Sequence, residues 1–472
     1  MSEKVVKTGK VLGIFSLAMI NVAIICSLRG LPMMAEYGFS IVFFLLVAVI
    51  IFLIPVSFVS AELATGWPKR GGIYAWVRQA FGEKWGFVAI CLQWLQNLVF
   101  YPTALAATAA VIAYLINPEL ANNKLYTLAV IIVVYWGALL INFKGMRLSG
   151  KISSIGTMLG IILPGVILVA LGLGWLALGE PSQITFNLKS LVPDLSNIQN
   201  IVFLTGVFLF FAGMEVSGVH ALEVKNPQKD YPKAIFYSAI IVVAIFLLGS
   251  ISIAAILPKG EISLTAGIMQ TFTIVFDRFN LSWAIPIIVI LAAPGMIVQV
   301  SSWIAGPSRG LLATAQNGDL PPFFQHMNKH NMPTHIMLVQ GIIVSIISVI
   351  FLFMPSVSSS FWILTDLAAL LYLTVYIIMF LAAIRLRYSE PNTPRPFKVP
   401  GGNAGMWFFA GMGIIACFSA IILGFFPPSQ LPTGNLFFYE AFLAIGYIVI
   451  VSIPFIMFRF RSPKWKKKIE LE

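Results

Sequence analysis

The sequence predicts an all-α polytopic membrane protein with twelve transmembrane helices, and three observations carry that prediction. Of its 472 residues 59% are apolar and only 10% charged, against roughly 45–50% and 25% in a soluble domain. Apolar runs of about 20 residues, enough to cross the hydrocarbon of a bilayer as a helix, recur along the whole chain. Lysine and arginine are concentrated in every second segment between those runs.

The runs fall at about 11–31, 38–62, 86–115, 124–143, 153–178, 200–221, 233–257, 283–305, 335–354, 359–384, 405–426 and 438–458. They leave no room for a soluble domain, so residues 1–472 are expected to form one transmembrane unit. The first run is not a cleavable signal peptide: it is long, lacks a small-residue cleavage pattern, and carries Asn21 and Arg29. Cys26, Cys91 and Cys417 all fall inside spans, which points to reduced thiols packed as small hydrophobes rather than to disulfides.

The net charge of +12 would suit nucleic acid only if it were gathered on one soluble face. With the N-terminus assigned to the cytoplasm, the inside segments hold 25 lysines and arginines. The outside loops hold 4, namely Lys124, Lys189, Lys259 and Arg278. By the positive-inside rule both termini are then cytoplasmic, in a multi-pass protein of the cell membrane with no nucleic-acid partner. The basic tail from Arg459 to Lys468 suits anionic membrane lipid.

Span 1 is interrupted by Asn21, Cys26, Ser27 and Arg29, and Gly30 and Pro32 weaken its outer end. The alternative for Asn21 and Ser27 is ordinary hydrogen bonding between helices. The loop after span 2 is basic and glycine-rich, with a short amphipathic helix that could be an interfacial connector. Span 3 places Gln93, Trp94, Gln96 and Asn97 within five residues. Gln93 and Asn97 share one helical face, as in a polar cavity wall or in amides joining two helices.

Span 6 is the centre of the chain. Its apolar run contains Gly213, Glu215 and Gly218, and an intramembrane carboxylate costs roughly 3 kcal/mol on insertion scales, which marks it as a functional candidate. Gly213 lets the helix unwind, and unwound backbone is tolerated at that depth only where it lines a cavity or is buried in protein. The other reading is a packing glycine beside a carboxylate neutralised by a neighbouring helix. Interrupted spans 1 and 6, five spans apart, point to a transporter site built on inverted repeats. In span 8, Trp303 taken alone reads as an interfacial anchor. Span 10 carries Asp366, then Tyr372 and Tyr376 one turn apart, either packing or cavity wall. Spans 11 and 12 are plain and read as scaffold or dimer contact.

The missing chemistry narrows the function. No phosphate-binding loop is present, and His326, His330 and His335 have no thiol partners at metal-ligand spacing. No Ser-His-Asp arrangement is visible. The sequence reads as neither an enzyme nor a cofactor or metal protein.

Several blocks together resemble the amino acid–polyamine–organocation superfamily, specifically its glutamate/GABA antiporter family. They are Gly213-Met-Glu215 with Glu223-Val-Lys-Asn-Pro227, Gly71-Gly-Ile-Tyr-Ala-Trp-Val77, Ser302-Trp-Ile-Ala-Gly-Pro-Ser-Arg-Gly310, Met327-Asn-Lys329 and the tyrosines of span 10. The likeness covers about residues 10 to 460. It implies a 5+5 inverted-repeat fold with repeats over about 11–178 and 200–384, helices 1 and 6 unwound, and two appended helices over about 405–458.

The resemblance also implies a site. Amides at Ala23, Cys26 and Ser27 would receive the substrate carboxylate, helped by the positive end of the outer half of span 1. Carbonyls at Ala23 and around Leu209 and Ala212 would receive the α-amino group. Asn97, with Gln93 a turn before it, Tyr372 and Tyr376 would form the wall, and Trp303 would cover the ligand. Glu215 resembles a carboxylate tied to gating, with His220 as the rival titrating group. Arg29 has two open readings: it recognises an acidic side chain, or it pairs with a carboxylate such as Glu215 or Asp366.

Two departures from the family stand out. Ile25-Cys-Ser27 replaces the usual Gly-Ser-Gly type, so close backbone approach must be made without glycine there. The segment after span 12 is about a dozen residues, so gating by a long C-terminal plug is not expected. The implied function is exchange of an external amino acid for its internal decarboxylated amine, by alternating access. Candidate pairs are glutamate/GABA, tyrosine/tyramine, histidine/histamine and agmatine/putrescine. The alternatives are a proton-coupled amino acid symporter and, with less polar lining than a pore needs, a channel or nutrient sensor.

Overall fold

The computed structural model describes residues 13–68, 72–145, 156, 158–216, 224, 226–432 and 434–466. Every regular element among them is a helix, and eleven helical stretches, Ile198–Val216 among them, are long and apolar enough to cross a membrane. The first expected span is present as two short pieces, α1 (Ile14–Ile25) and α2 (Leu31–Ala35). The other elements are α3 (Gly38–Gly66), the short α4 (Ile73–Phe81), α5 (Glu83–Ala113), α6 (Lys124–Asn142), α7 (Met158–Ala177) and α8 (Leu204–Phe211). They continue with α9 (Pro227–Ile256), α10 (Gly267–Arg278), α11 (Ile285–Gln316), α12 (Thr334–Phe353), α13 (Val357–Ser389), α14 (Gly402–Gly424) and α15 (Leu436–Arg459).

The bundle is organised around α5 and α13, which pack against each other. In their most apolar stretches 89% and 78% of residues are buried, against 11% in α15. At 1.5 Å per residue each is over about 45 Å long, more than the hydrocarbon thickness. Buried Ala104, Ala106, Ala107, Ala109 and Ala110 give α5 a small-residue surface, which lets neighbouring backbones come close where no hydrophobic effect drives helices together. Helix α11 lies along α5, α1 along α9, and α8 against α13. The exposed α15 sits at the edge.

Both expected interruptions have a backbone form. Helix α1 stops at Ile25, and Cys26 (φ −64°, ψ 112°) and Ser27 (φ −132°, ψ 118°) are extended. One tight turn over Leu28–Gly30 follows, and then α2, with Pro32 in its first turn, where a proline costs no hydrogen bond. Gly30 supplies the close approach that Ile25-Cys-Ser27 does not: a Cβ there would stand 2.7 Å from the Phe210 ring. Helix α8 stops at Phe211, Ala212 is extended, and Gly213 has φ +118°, a conformation that side chains with a Cβ rarely adopt. Glu215 sits in the single turn that follows.

The amphipathic segment after α3 docks on the bundle: Ile73, Tyr74, Trp76, Val77 and Ala80 of α4 are buried, and α4 packs on α5 and α13. Gly71, Gly218, His220 and Glu223, to which sequence reasoning assigned parts, lie outside the described residues.

Candidate functional site

A cavity of about 30 Å³ lies where the two interruptions meet. Ile24, Ile25, Ser27 and Arg29 line it from the break after α1, and Leu209, Phe210 and Ala212 from the break after α8. Gln96, Asn97 and Phe100 of α5, Gln299 and Trp303 of α11, and Tyr372 of α13 complete the wall. Of the residues anticipated from sequence, Ser27, Arg29, Asn97, Leu209, Ala212, Trp303 and Tyr372 therefore meet at one place. Cys26, Gln93, Tyr376 and Glu215 stand outside the lining. Ala23 is in the last turn of α1, with its side chain outside the described set, and His220 is outside it altogether.

The residues outside the lining hold those inside it. The Cys26 carbonyl, freed by the end of α1, accepts from Gln299 Nε2 at 3.1 Å, while Ser27 Oγ donates to Gln299 Oε1 at 3.4 Å. One amide thus pairs with both the Cys26 carbonyl and the Ser27 hydroxyl at the break. Gln299→Leu would leave the buried Cys26 carbonyl without that partner, at about 1–3 kcal/mol. The expected result is a lower unfolding temperature of the purified protein in detergent; an unchanged temperature would show that the break is held from elsewhere.

The second break is held by a carboxylate. Glu215 accepts from Tyr372 Oη at 2.5 Å through Oε1, and from Tyr376 Oη and the Gly213 N–H (3.2 Å) through Oε2. The Gly213 N–H also donates to Tyr376 Oη at 2.8 Å. Tyr376 is thus placed behind the cavity by this duty, with no exposed surface. Gln93 Nε2 donates to Tyr372 Oη at 3.4 Å, and Asn97 Nδ2 donates to the Gln93 carbonyl at 2.7 Å. The expected Gln93–Asn97 face is therefore split: Asn97 reaches the cavity while Gln93 braces Tyr372.

Trp303 is not an isolated anchor. It lies one turn after Gln299, its carbonyl accepts from Tyr101 Oη at 2.9 Å, and its ring stands 6.1 Å from that of Phe100. Arg29 is 4% exposed, donates through Nη1 to Thr103 Oγ1 at 2.5 Å, and lies 4.2 Å and 4.9 Å from the ring centres of Phe100 and Phe210. Among the described residues it forms no ion pair. The pairing with Glu215 or Asp366 is not made, because Glu215 is taken by two tyrosines and Asp366 accepts from Tyr439 Oη at 3.3 Å.

Sequence reasoning missed Gln299, Phe100, Phe210 and Ile24 as lining residues, named Ile25 only within Ile25-Cys-Ser27, and named Gln96 only as one of the amides of span 3. Gln299 had a signal, as a lone amide one turn from Trp303 in an apolar run. The two phenylalanines had none, since Phe is also the ordinary residue of a membrane helix.

The sequence pattern of the family described as amino acid permease matches residues 12–452. An uncharacterized transporter of Legionella pneumophila is 45% identical over 447 residues, covering 95% of this chain and 96% of that protein. The glutamate/gamma-aminobutyrate antiporter of Lactococcus lactis subsp. lactis is 31% identical over 467 residues, 98% of this chain and 93% of its own. A probable agmatine/putrescine antiporter of the same organism is 27% identical over 425 residues, 88% of each. These relatives are transporters rather than enzymes, and the match runs through both breaks and all the cavity-lining elements. The chain belongs to the amino acid permease family of the amino acid–polyamine–organocation superfamily, as a multi-pass membrane transporter.

Proposed function

We propose that the chain is an antiporter of the cell membrane, with both termini cytoplasmic, that exchanges an amino acid for its decarboxylated amine. The observation that carries this reading is the cavity at the meeting of two interrupted helices, where Ser27 and Ala212 of the two breaks lie beside Asn97, Trp303 and Tyr372. In this reading the amides around Ser27 take the α-carboxylate, and the carbonyls of Leu209 and Ala212 take the ammonium. The two breaks occupy corresponding positions in inverted repeats over about 11–178 and 200–384. The Lactococcus relatives, a glutamate/gamma-aminobutyrate antiporter and a probable agmatine/putrescine antiporter, support exchange as the mode of transport.

A cavity of about 30 Å³ has room for roughly two waters, so an amino acid enters only if the wall moves. In this reading the short pieces flanking the two breaks shift, as alternating access requires. Trp303 is the cover. Trp303→Ala removes its aromatic face from a bound cationic amine, about 1–2 kcal/mol, and should raise the KM for exchange about tenfold with insertion unchanged. A KM equal to that of the unsubstituted protein would return Trp303 to a packing role. Proteoliposomes test the mode: uptake that needs internal counter-substrate supports exchange, whereas uptake into empty vesicles driven by a pH gradient would replace it with proton-coupled symport.

A further inference from the structure

We propose that Arg29 is the specificity-determining residue of this cavity and selects a ligand with a side-chain carboxylate. The ligand pair would then be a dicarboxylic amino acid and the zwitterionic amino acid left when its α-carboxylate is lost. This inference rests on the exchange reading above and names its substrate class.

The first argument is an unanswered charge. A guanidinium carries five N–H donors in a fixed fork that matches a carboxylate. Among the described residues Arg29 makes one hydrogen bond, to a hydroxyl, and its buried Nε has no partner. That hydroxyl, Thr103 Oγ1, donates to the Phe100 carbonyl at 2.7 Å, so it accepts from Arg29 without bringing any negative charge. The Phe100 and Phe210 ring faces, 4.2 Å and 4.9 Å from the guanidinium, attract it but supply neither a hydrogen-bond acceptor in its plane nor a counter-charge. A buried cation without a counter-charge is costly to keep, yet this one lines the cavity. A ligand carboxylate would supply both the charge and the second donor–acceptor pair.

The second argument is an unanswered acceptor on the same wall. Gln96 Oε1 is buried, lines the cavity and has no partner. An orphan donor cation and an orphan acceptor facing one small space suit a ligand with separate negative and positive ends.

The third argument comes from exchange. The two ligands of such an antiporter differ by the α-carboxylate, so the contacts common to both must fall on the amine and the side chain. A fixed cation on the side chain holds both ligands when the side chain is a carboxylate. It repels both when the side chain is an amine or guanidine.

Full-length protein in proteoliposomes tests the proposal with glutamate against glutamine, which differ only by carboxylate against amide, and gamma-aminobutyrate against putrescine. The expected result is a KM for glutamate at least about tenfold below that for glutamine, with gamma-aminobutyrate exchanged and putrescine not. Arg29→Met, of similar length and uncharged, should bring the glutamate-to-glutamine ratio to about one, while Arg29→Lys should keep part of it. Because the ratio is read within one preparation, altered expression does not move it. Equal KM values in the unsubstituted protein, or a ratio unchanged in Arg29→Met, would overturn the proposal and leave Arg29 to the α-carboxylate or to structure. If Arg29→Met does not fold, the unsubstituted ratio and Arg29→Lys decide. Thermal shift of detergent-purified protein by glutamate and glutamine separates the two readings. A glutamate-selective shift that Arg29→Met abolishes, without any exchange, defeats antiport but supports Arg29. Exchange without glutamate selectivity does the reverse.

Discussion

Glu62→Leu is expected to remove about 3–5 kcal/mol of stability, the cost of leaving buried charge without its partner. Glu62, in the last turns of α3, receives Arg387 of α13 in a two-pronged contact, Nε to Oε1 and Nη2 to Oε2, each 2.6 Å. Its Oε2 also accepts the Val399 N–H at 2.7 Å, and Arg395 Nε lies 3.4 Å from Oε1. All three side chains are at most 7% exposed. Arg395 Nη2 donates to the Leu386 and Glu390 carbonyls, so the Arg395 side chain folds the 391–400 loop back on α13. Burial pulls the Arg395 guanidinium below its usual range, and Glu62 is the foremost charge opposing that pull. Without Glu62 two buried guanidiniums face each other. Thermal unfolding in detergent measures the loss, and Glu62→Leu combined with Arg387→Met should recover part of it, because one of the stranded charges is gone. Destabilisation equal in the single and double variants would show that the ion pair is not the cause.

This cluster also marks the limit of what the sequence discloses. Glu62 and Arg387 are 325 residues apart, and no periodicity connects an acid closing one span to a base closing another. Pro391, Pro394, Pro396 and Pro400 mark a loop, but nothing in them says that Val399 turns its N–H to Glu62. Local anomalies were legible instead. Gly213 stands before an acid inside an apolar run, and the structure gives it a positive φ. Pro32 after Gly30 marks where a helix restarts, and α2 restarts there. Both signals survive because backbone preference acts within a few residues. Tyr372 and Tyr376 show the intermediate case. Their spacing predicted a shared face, which they have, but only the position of Glu215 decides that one meets the cavity and the other stays behind it. Asp366 likewise looked like the near neighbour of a span end; it is buried against Tyr439 of α15 because the appended helices close over it.

Glu215→Gln should slow exchange about tenfold or more while leaving membrane insertion intact. The substitution preserves shape but not hydrogen-bond polarity. Glu215 accepts from three donors, the Tyr372 and Tyr376 hydroxyls and the Gly213 N–H. The Gly213 N–H also donates to the Tyr376 oxygen, so the tyrosine proton is directed at Glu215. An amide offers one accepting oxygen and turns an NH₂ toward donors on its other side, which leaves a buried group unsatisfied at about 1–3 kcal/mol. That energy corresponds to roughly tenfold or more in rate when the affected contacts hold the break after α8 in place. Glu215 does not line the cavity, so the loss should fall on kcat with KM little changed, the opposite of the expectation for Trp303→Ala. Tyr376→Phe, which removes one donor without disturbing the charge, should give a smaller loss of the same kind. Proteoliposome exchange at saturating substrate measures both; a rise in KM with unchanged kcat would place Glu215 among the ligand contacts. The same assay run across pH separates it from its rival. Exchange in Glu215→Gln should lose most of its pH dependence, and His220→Gln should keep it. If neither variant alters the profile, proton sensing belongs to neither residue, and Glu215 serves only to fasten the break to α13.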